Sequence, residues 1–201
     1  MNIPSFLFAG VLAAGFALTA GQARGAIVYS GVVNVEIPTD FDGVYIDIDG
    51  MASSGSEFAG WDINPFFGGS VISTSVDFHP VADSVLSTAT ILRLDMDVEV
   101  GPSLTYAASP GGSSDHIGPA ADQFTEGVES YIGFQFTLND DSGPFFGWIS
   151  ITVTANNPGG VITGWAYDDE GQPIMTGAVP EPSSLLLLGL VPLLAWRRRR
   201  G

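Results

Sequence analysis

Three stretches of this chain alternate apolar and polar residues one by one. Val44, Ile46 and Ile48 alternate with Tyr45, Asp47 and Asp49. Ile132, Phe134, Phe136 and Leu138 alternate with Gly133, Gln135 and Thr137, and Ile149, Ile151 and Val153 alternate with Ser150, Thr152 and Thr154. Successive side chains of a strand point to opposite faces, so this pattern predicts one face on a core and one toward solvent. Between the last two runs lies Asn139-Asp140-Asp141-Ser142-Gly143-Pro144, a dense turn signal, and together they predict a hairpin. Further strands are expected at Ile27 to Ile37, Val71 to Phe78, Thr88 to Val98 and Val161 to Tyr167. The 26 glycines and 13 prolines, with no long amphipathic helical pattern, point the same way. The fold class expected is mainly β, a single antiparallel β-sandwich. Two long segments interrupt it, the Ser/Gly-rich Met51 to Ala59 and the Gly/Ser/Pro/Ala-rich Gly101 to Asp122. Loops of that length tend to be functional or mobile.

Charge narrows the function. The chain has 22 acidic residues against 6 basic ones and no lysine. Between Ala26 and Ala178 Arg93 is the only basic residue, set against 21 acids, so that body carries a formal charge of −20. Such a surface repels phosphate backbones, which argues against any nucleic-acid partner. With no cysteine, disulfides, thiolate zinc sites and cysteine nucleophiles are excluded.

The two ends read as addresses. Phe6 to Ala20 is an apolar run followed by small residues at Gly21, Ala23 and Gly25, the pattern of a secretory signal peptide over residues 1–25. Cleavage after Ala23 and cleavage after Gly25 both satisfy the small-residue rule. Such a signal predicts passage through the Sec translocon and removal by signal peptidase. At the other end, Val179-Pro180-Glu181-Pro182 precedes an apolar run, Leu185 to Trp196, and then Arg197, Arg198, Arg199 and Arg200. A 12-residue helix is about 18 Å long, short against a hydrocarbon core of about 30 Å, although arginine stems reach back to the headgroups. The expectation is a short transmembrane helix with the arginines cytoplasmic and everything before Pro180 outside.

The C-terminal arrangement resembles the PEP-CTERM sorting signal of biofilm-forming Gram-negative bacteria. Pro180-Glu181-Pro182, Leu185 to Trp196 and Arg197 to Arg200 match its box, helix and basic end in order and position. The resemblance implies recognition and cleavage near the box by an exosortase, and an association with exopolysaccharide; the alternative is a plain single-pass anchor. Within residues 26–178, Ile37-Pro38-Thr39 leading to Gly43-Val44-Tyr45, Gly60-Trp61-Asp62-Ile63-Asn64, Phe146-Gly147-Trp148 and Trp165-Ala166-Tyr167 resemble segments of other PEP-CTERM proteins, and imply no activity. The domain plan expected is therefore 1–25 signal peptide, 26–178 β-sandwich ectodomain and 179–201 sorting signal.

Candidate chemistry inside the body is sparse. The histidines are His79, before Pro80 at an expected strand end, and His116 in the long loop; Asp115-His116 lacks a nucleophile elbow to complete a triad and is expected as exposed loop residues. Glu126 and Glu129 are a carboxylate pair by spacing alone. Calcium, which takes six to eight oxygens from carboxylates and carbonyls, is the more credible ligand. Its candidates are Asp47 and Asp49, joined by Asp62 and Asn64; Asp140 and Asp141; and Asp168, Asp169 and Glu170. Asn, Asp and Gly are also simply good turn residues. Trp61, Trp148 and Trp165 are candidates for an aromatic platform against glycan, with Trp148 facing outward by its alternation, although tryptophan more often fills a core. The function expected is a non-enzymatic, exported surface or extracellular-matrix protein associated with exopolysaccharide. The alternatives are a glycan-acting extracellular hydrolase and a self-assembling surface-layer subunit.

Overall fold

A computed structural model of the protein describes residues 26–138, 142–155 and 157–180. The expected signal peptide, the apolar run and the arginine cluster lie outside these residues. Among the described residues there is no α-helix, and no helix is long and apolar enough to cross a membrane.

The chain forms two larger antiparallel sheets and one small one. The first contains β1 (Ile27–Tyr29), β2 (Val35–Ile37), β7 (Phe78–Pro80), β10 (Glu129–Phe136), β11 (Phe145–Thr152) and β12 (Gly160–Asp168). Its order is β1-β12-β11-β10-β7, with β2 also on β12. The second contains β3 (Tyr45–Asp47), β4 (Ala52–Ser54), β5 (Ile63–Phe66), β6 (Val71–Thr74) and β9 (Gly111–Ser113), in the order β4-β3-β5-β6-β9. The remaining pair is β8 (Glu99–Val100) with β13 (Ile174–Met175).

The alternating runs do what their pattern predicts on one face. Val44, Ile46, Ile48, Ile63 and Ile72, in or beside strands of the second sheet, share one apolar cluster with Ile132, Phe134, Phe136, Ile149, Ile151, Val153 and Trp165, in or beside strands of the first. Each such side chain contributes roughly 1.5–3 kcal/mol when fully withdrawn from water. The hairpin also forms, with Ile132 opposite Ile149 and Phe136 opposite Phe145. Its turn residues 139–141 lie outside the described set, but the Leu138 N–H donates to the Ser142 carbonyl across it at 2.9 Å.

Other expectations are corrected. Ile27 to Ile37 is two short strands, both paired with β12, with a break between them. Val71 to Phe78 is also divided: β6 ends at Thr74 in the second sheet and β7 begins at Phe78 in the first. Thr88 to Val98 forms no strand, only single bridges from Ile91 to Ala82 and from Leu94 to Tyr131. The reason is that this segment is a cover. Leu92, Leu94, Leu104 and Tyr106 pack with Val81, Val100, Tyr131, Phe146, Trp148 and Ile174 in a second apolar cluster on the other face of the first sheet. That face is therefore dry, where period-two alternation predicted solvent. Gly133 completes the fit, since a Cβ there would lie 2.7 Å from Leu94 Cδ1 and 3.0 Å from Val100 Cγ2.

The segment Gly101 to Asp122 is tied down rather than loose. It contains β9, and Arg93 reaches it with Nη2 donating to the Ala121 carbonyl at 2.7 Å while Nη1 pairs with Asp95 at 2.5 Å.

Candidate functional site

The antiparallel register that sets Ile46 opposite Ile63 brings their neighbours Asp47 and Asp62 together. The Asp62 N–H donates to the Ile46 carbonyl at 2.7 Å, and its carboxylate Oδ2 accepts from the Ile48 N–H at 2.7 Å. Asp47 Oδ1 accepts from the Gly50 N–H at 2.7 Å, which folds the turn after β3 back over it. That turn needs glycine at position 50, because a Cβ there would collide with the Asp47 carboxyl. Asp49 sits in the same turn, and one carboxylate oxygen from each of Asp47, Asp49 and Asp62 lies within 4.8 Å of the others.

The electrostatics follow from this crowding. Burial, with the nearby charges of Asp47, Asp49 and Asp77 adding to it and the Ile48 N–H opposing it, pushes Asp62 up to about 7. Asp47 is raised as well, first by burial and then by its hydrogen bond and repulsion with Asp49, against the pull of the Gly50 N–H. Among the described residues these three carboxylates are the group that could hold a metal ion. Hard cations that accept several carboxylate oxygens, calcium above all, suit such a donor set.

The structure thus joins Asp62 to Asp47 and Asp49 as the sequence suggested, and leaves Asn64 out of the group. The Asn64 amide donates to the Asp42 carbonyl, and its Oδ1 is buried without a partner beside Gly43. Asp168, Asp169 and Glu170 are not brought together as ligands. Asp168 Oδ1 accepts the N–H groups of Glu170 and Gln172 at 3.0 and 2.9 Å, and Asp169 Oδ1 accepts from Ala26 N at 2.7 Å. Both carboxylates are used on backbone N–H groups, Asp168 within its own turn. Asp140 and Asp141 lie outside the described residues.

The three tryptophans do not form one platform. Trp165 is 2% exposed in the cluster between the sheets, with Nε1 donating to the Ile48 carbonyl at 3.2 Å. Trp148 is 3% exposed in the second apolar cluster, under the cover on the opposite side of the sheet, and so does not face solvent. Trp61 alone is partly exposed, its ring edge-to-face on Tyr45 at 5.1 Å.

His116 is also corrected: it is fully buried. Its Nε2 lies 2.8 Å from the Gly69 carbonyl and its Nδ1 3.2 Å from Ser113 Oγ, which in turn accepts from the Ile91 N–H. The carbonyl requires the proton on Nε2, so Nδ1 accepts from the serine and the ring is a structural bridge. Burial holds its pKa below the usual histidine value. His79 is half-buried, with Nδ1 3.0 Å from the Ala107 carbonyl and 2.9 Å from Ser109 Oγ. Of the spaced glutamates, Glu126 is exposed, whereas Glu129 Oε1 accepts from Ser150 Oγ at 2.7 Å and Thr163 Oγ1 at 2.6 Å. Those bonds lower its pKa, the reverse of what a general acid needs.

At the far end of the body, Val179 and Pro180 are exposed, and Glu181, Pro182 and Arg197 to Arg200 lie outside the described residues. Residues 178–200 match the PEP-CTERM protein-sorting motif. The chain carries a PEP-CTERM sorting signal. The motif implies an exported, exosortase-sorted protein of the cell surface. No curated protein and no solved structure matches the chain.

Proposed function

We propose that this PEP-CTERM protein is a non-enzymatic component of the cell surface or extracellular matrix, associated with exopolysaccharide. The observation that carries the reading is the sorting motif beginning at residue 178, shortly after β13. On this reading, residues 1–25 direct export through the Sec translocon and are removed by signal peptidase. The apolar run then holds the precursor in the inner membrane, arginines inward, until exosortase cuts near Pro180. The two sheets that share one core are read as a β-sandwich. A structural role is supported by the way the candidate catalytic groups and two of the candidate platform tryptophans are used within the fold. His116 is tied to the Gly69 carbonyl and to Ser113, Glu129 Oε1 accepts two hydroxyl hydrogen bonds, and Trp148 and Trp165 fill cores. Contact with acidic polysaccharide through bound cations is compatible with the −20 charge of the body.

Cosedimentation of the mature protein with the host's own exopolysaccharide, in calcium and in chelator, tests the reading. Binding in calcium alone supports cation-bridged contact, and binding in both supports direct contact. No binding in either rejects association with the polysaccharide.

A further inference from the structure

The one tryptophan left partly exposed among the described residues borders an open cleft in the body. Glu57, Gly60, Trp61, Ser75 and Asp77 line a space of about 580 Å³. Ligand clefts commonly occupy about 300–1,000 Å³. The indole is fixed from two sides. Tyr45 meets it edge-to-face with an interplanar angle of 87°, and its Nε1–H donates to Glu57 Oε1 at 3.2 Å. Gly60, at φ +88°, supplies the left-handed turn that delivers the ring to this position ahead of β5. An aromatic held this way loses little further freedom when a ligand arrives.

The chemistry of the lining selects the ligand. A flat apolar ring suits the C–H face of a sugar, and carboxylate and hydroxyl oxygens accept from sugar hydroxyls. Glu57 and Asp77 line the cleft, and the charge of Asp77 also acts on Asp62. A uronate or sulfated sugar entering here meets the like charge of Glu57 and Asp77, whereas a neutral sugar is not repelled. We propose that the Trp61 cleft is a subsite for a neutral sugar unit of a polysaccharide. The proposal rests on the exopolysaccharide reading and makes it sharper, since it assigns direct contact to uncharged sugars and leaves acidic ones to cation bridging.

The test uses full-length protein in mild detergent, titrated calorimetrically with cellohexaose, maltohexaose and chitin hexamer and with oligogalacturonate. Saturable binding of at least one neutral oligosaccharide, at least tenfold tighter than the acidic one, is expected. Trp61→Ala should weaken it at least tenfold with the thermal midpoint unchanged, Trp61→Phe should retain most of it, and Asp77→Asn should weaken it severalfold. Preference for oligogalacturonate, equal binding by Trp61→Ala, or no binding across the neutral set overturns the proposal. Repeating the exopolysaccharide cosedimentation with Trp61→Ala separates the two readings. Sedimentation of both wild type and variant to the same extent rejects the cleft and keeps the matrix role. Failure of the wild type rejects the matrix role, and the oligosaccharide titration still decides the cleft.

Discussion

The indole N–H of Trp148 donates to the carbonyl of Ala178 at 3.2 Å. Trp148 lies in the middle of β11, and Ala178 is the first residue of the matched sorting motif. The body therefore grips its chain up to the start of the segment an exosortase would process. The Ala178 N–H is held too, by the Met175 carbonyl at 3.0 Å, and Thr176 Oγ1 donates to the Asp95 carbonyl at 2.6 Å. Pro180 follows two residues later, so little slack separates fold from signal.

Removing that grip has a measurable result. Trp148→Phe keeps a ring under the cover and loses the hydrogen bond, at a cost of about 1 kcal/mol. Trp148→Ala also opens a cavity among Tyr29, Tyr131 and Phe146, at a cost of roughly 3–5 kcal/mol. Denaturant unfolding gives both values. Amide exchange at Ala178 should accelerate in the phenylalanine variant while β10 and β11 amides hold.

Two buried groups set opposite pH dependences in one window. Asp62 in the folded protein titrates at about 7, against an ordinary value of 3.8. The folded state then holds a proton that the unfolded state has released, and metal-free stability falls as pH rises between these values. His116 is lowered below 6.5, so below that pH the unfolded chain takes up a proton that the fold refuses, and stability falls as pH drops. In chelator, wild type should show a shallow profile between pH 5 and 7. Asp62→Asn, which keeps an acceptor for the Ile48 N–H, should be more stable than wild type at pH 8 and should expose the acid-side loss due to His116. An Asp62→Asn profile identical in shape to wild type would contradict this assignment of the two groups.

Calcium should act on the same residues with the opposite sign. A cation among Asp47, Asp49 and Asp62 requires Asp62 ionised, so binding displaces a proton wherever the free site holds one. Scanning calorimetry at pH 8 should show a higher thermal midpoint with millimolar calcium than with chelator, and a smaller difference at pH 5. The difference should vanish in Asp47→Asn/Asp62→Asn. Ligand linkage gives about 2.7 kcal/mol when calcium is at 100 times its dissociation constant.

These sites show what is legible in the sequence. Val44, Ile46, Ile48 and the pair Ile132/Ile149 are legible because alternation is local and all of them enter the one apolar cluster that joins the two larger sheets. Trp148 is not, because whether the second face of a sheet is wet depends on a distant cover, and Leu92, Leu94, Leu104 and Tyr106 show no pattern that marks them as one. Asp62 becomes a neighbour of Asp47 only through a strand register that joins positions 46 and 63. The burial of His116 is hidden because its partners, Gly69 and Ser113, lie on separate segments, one of them 47 residues away. The acidic turn at Asp168 is legible as a turn, and its carboxylate is used by that turn.

The cover itself can be tested at Gly133. This residue sits at the centre of β10 opposite Trp148, and a Cβ added there would lie 2.7 Å from Leu94 and 3.0 Å from Val81 and Val100. Gly133→Ala should destabilise by about 1–3 kcal/mol through overpacking, despite alanine's lower backbone entropy cost. Leu94→Ala combined with Gly133→Ala should cost less than the two changes summed, because truncating leucine makes room for the new methyl. Strict additivity in denaturant unfolding would mean that Leu94 does not press on this strand.

The sorting reading makes the last prediction. Mass spectrometry of protein recovered from native cells should find a C-terminus near Pro180, with Leu185 to Trp196 and the arginines gone. Intact chains ending in the arginines would contradict processing and favour a plain membrane anchor. Glu181→Ala separates recognition from folding, because Glu181 belongs to the matched motif, while the hydrogen bonds described at the end of the body are made by Met175, Thr176 and Ala178. The variant should unfold at the wild-type temperature yet accumulate as full-length precursor in the membrane. Trp148→Phe tests the reverse case: it loosens the grip on Ala178 and leaves the motif's own sequence intact. Faster processing in Trp148→Phe than in wild type is expected, since a protease acts on extended chain and the hydrogen bond to Ala178 holds that chain against the sheet. Unchanged processing in Trp148→Phe would mean that exosortase needs nothing upstream of Val179 released.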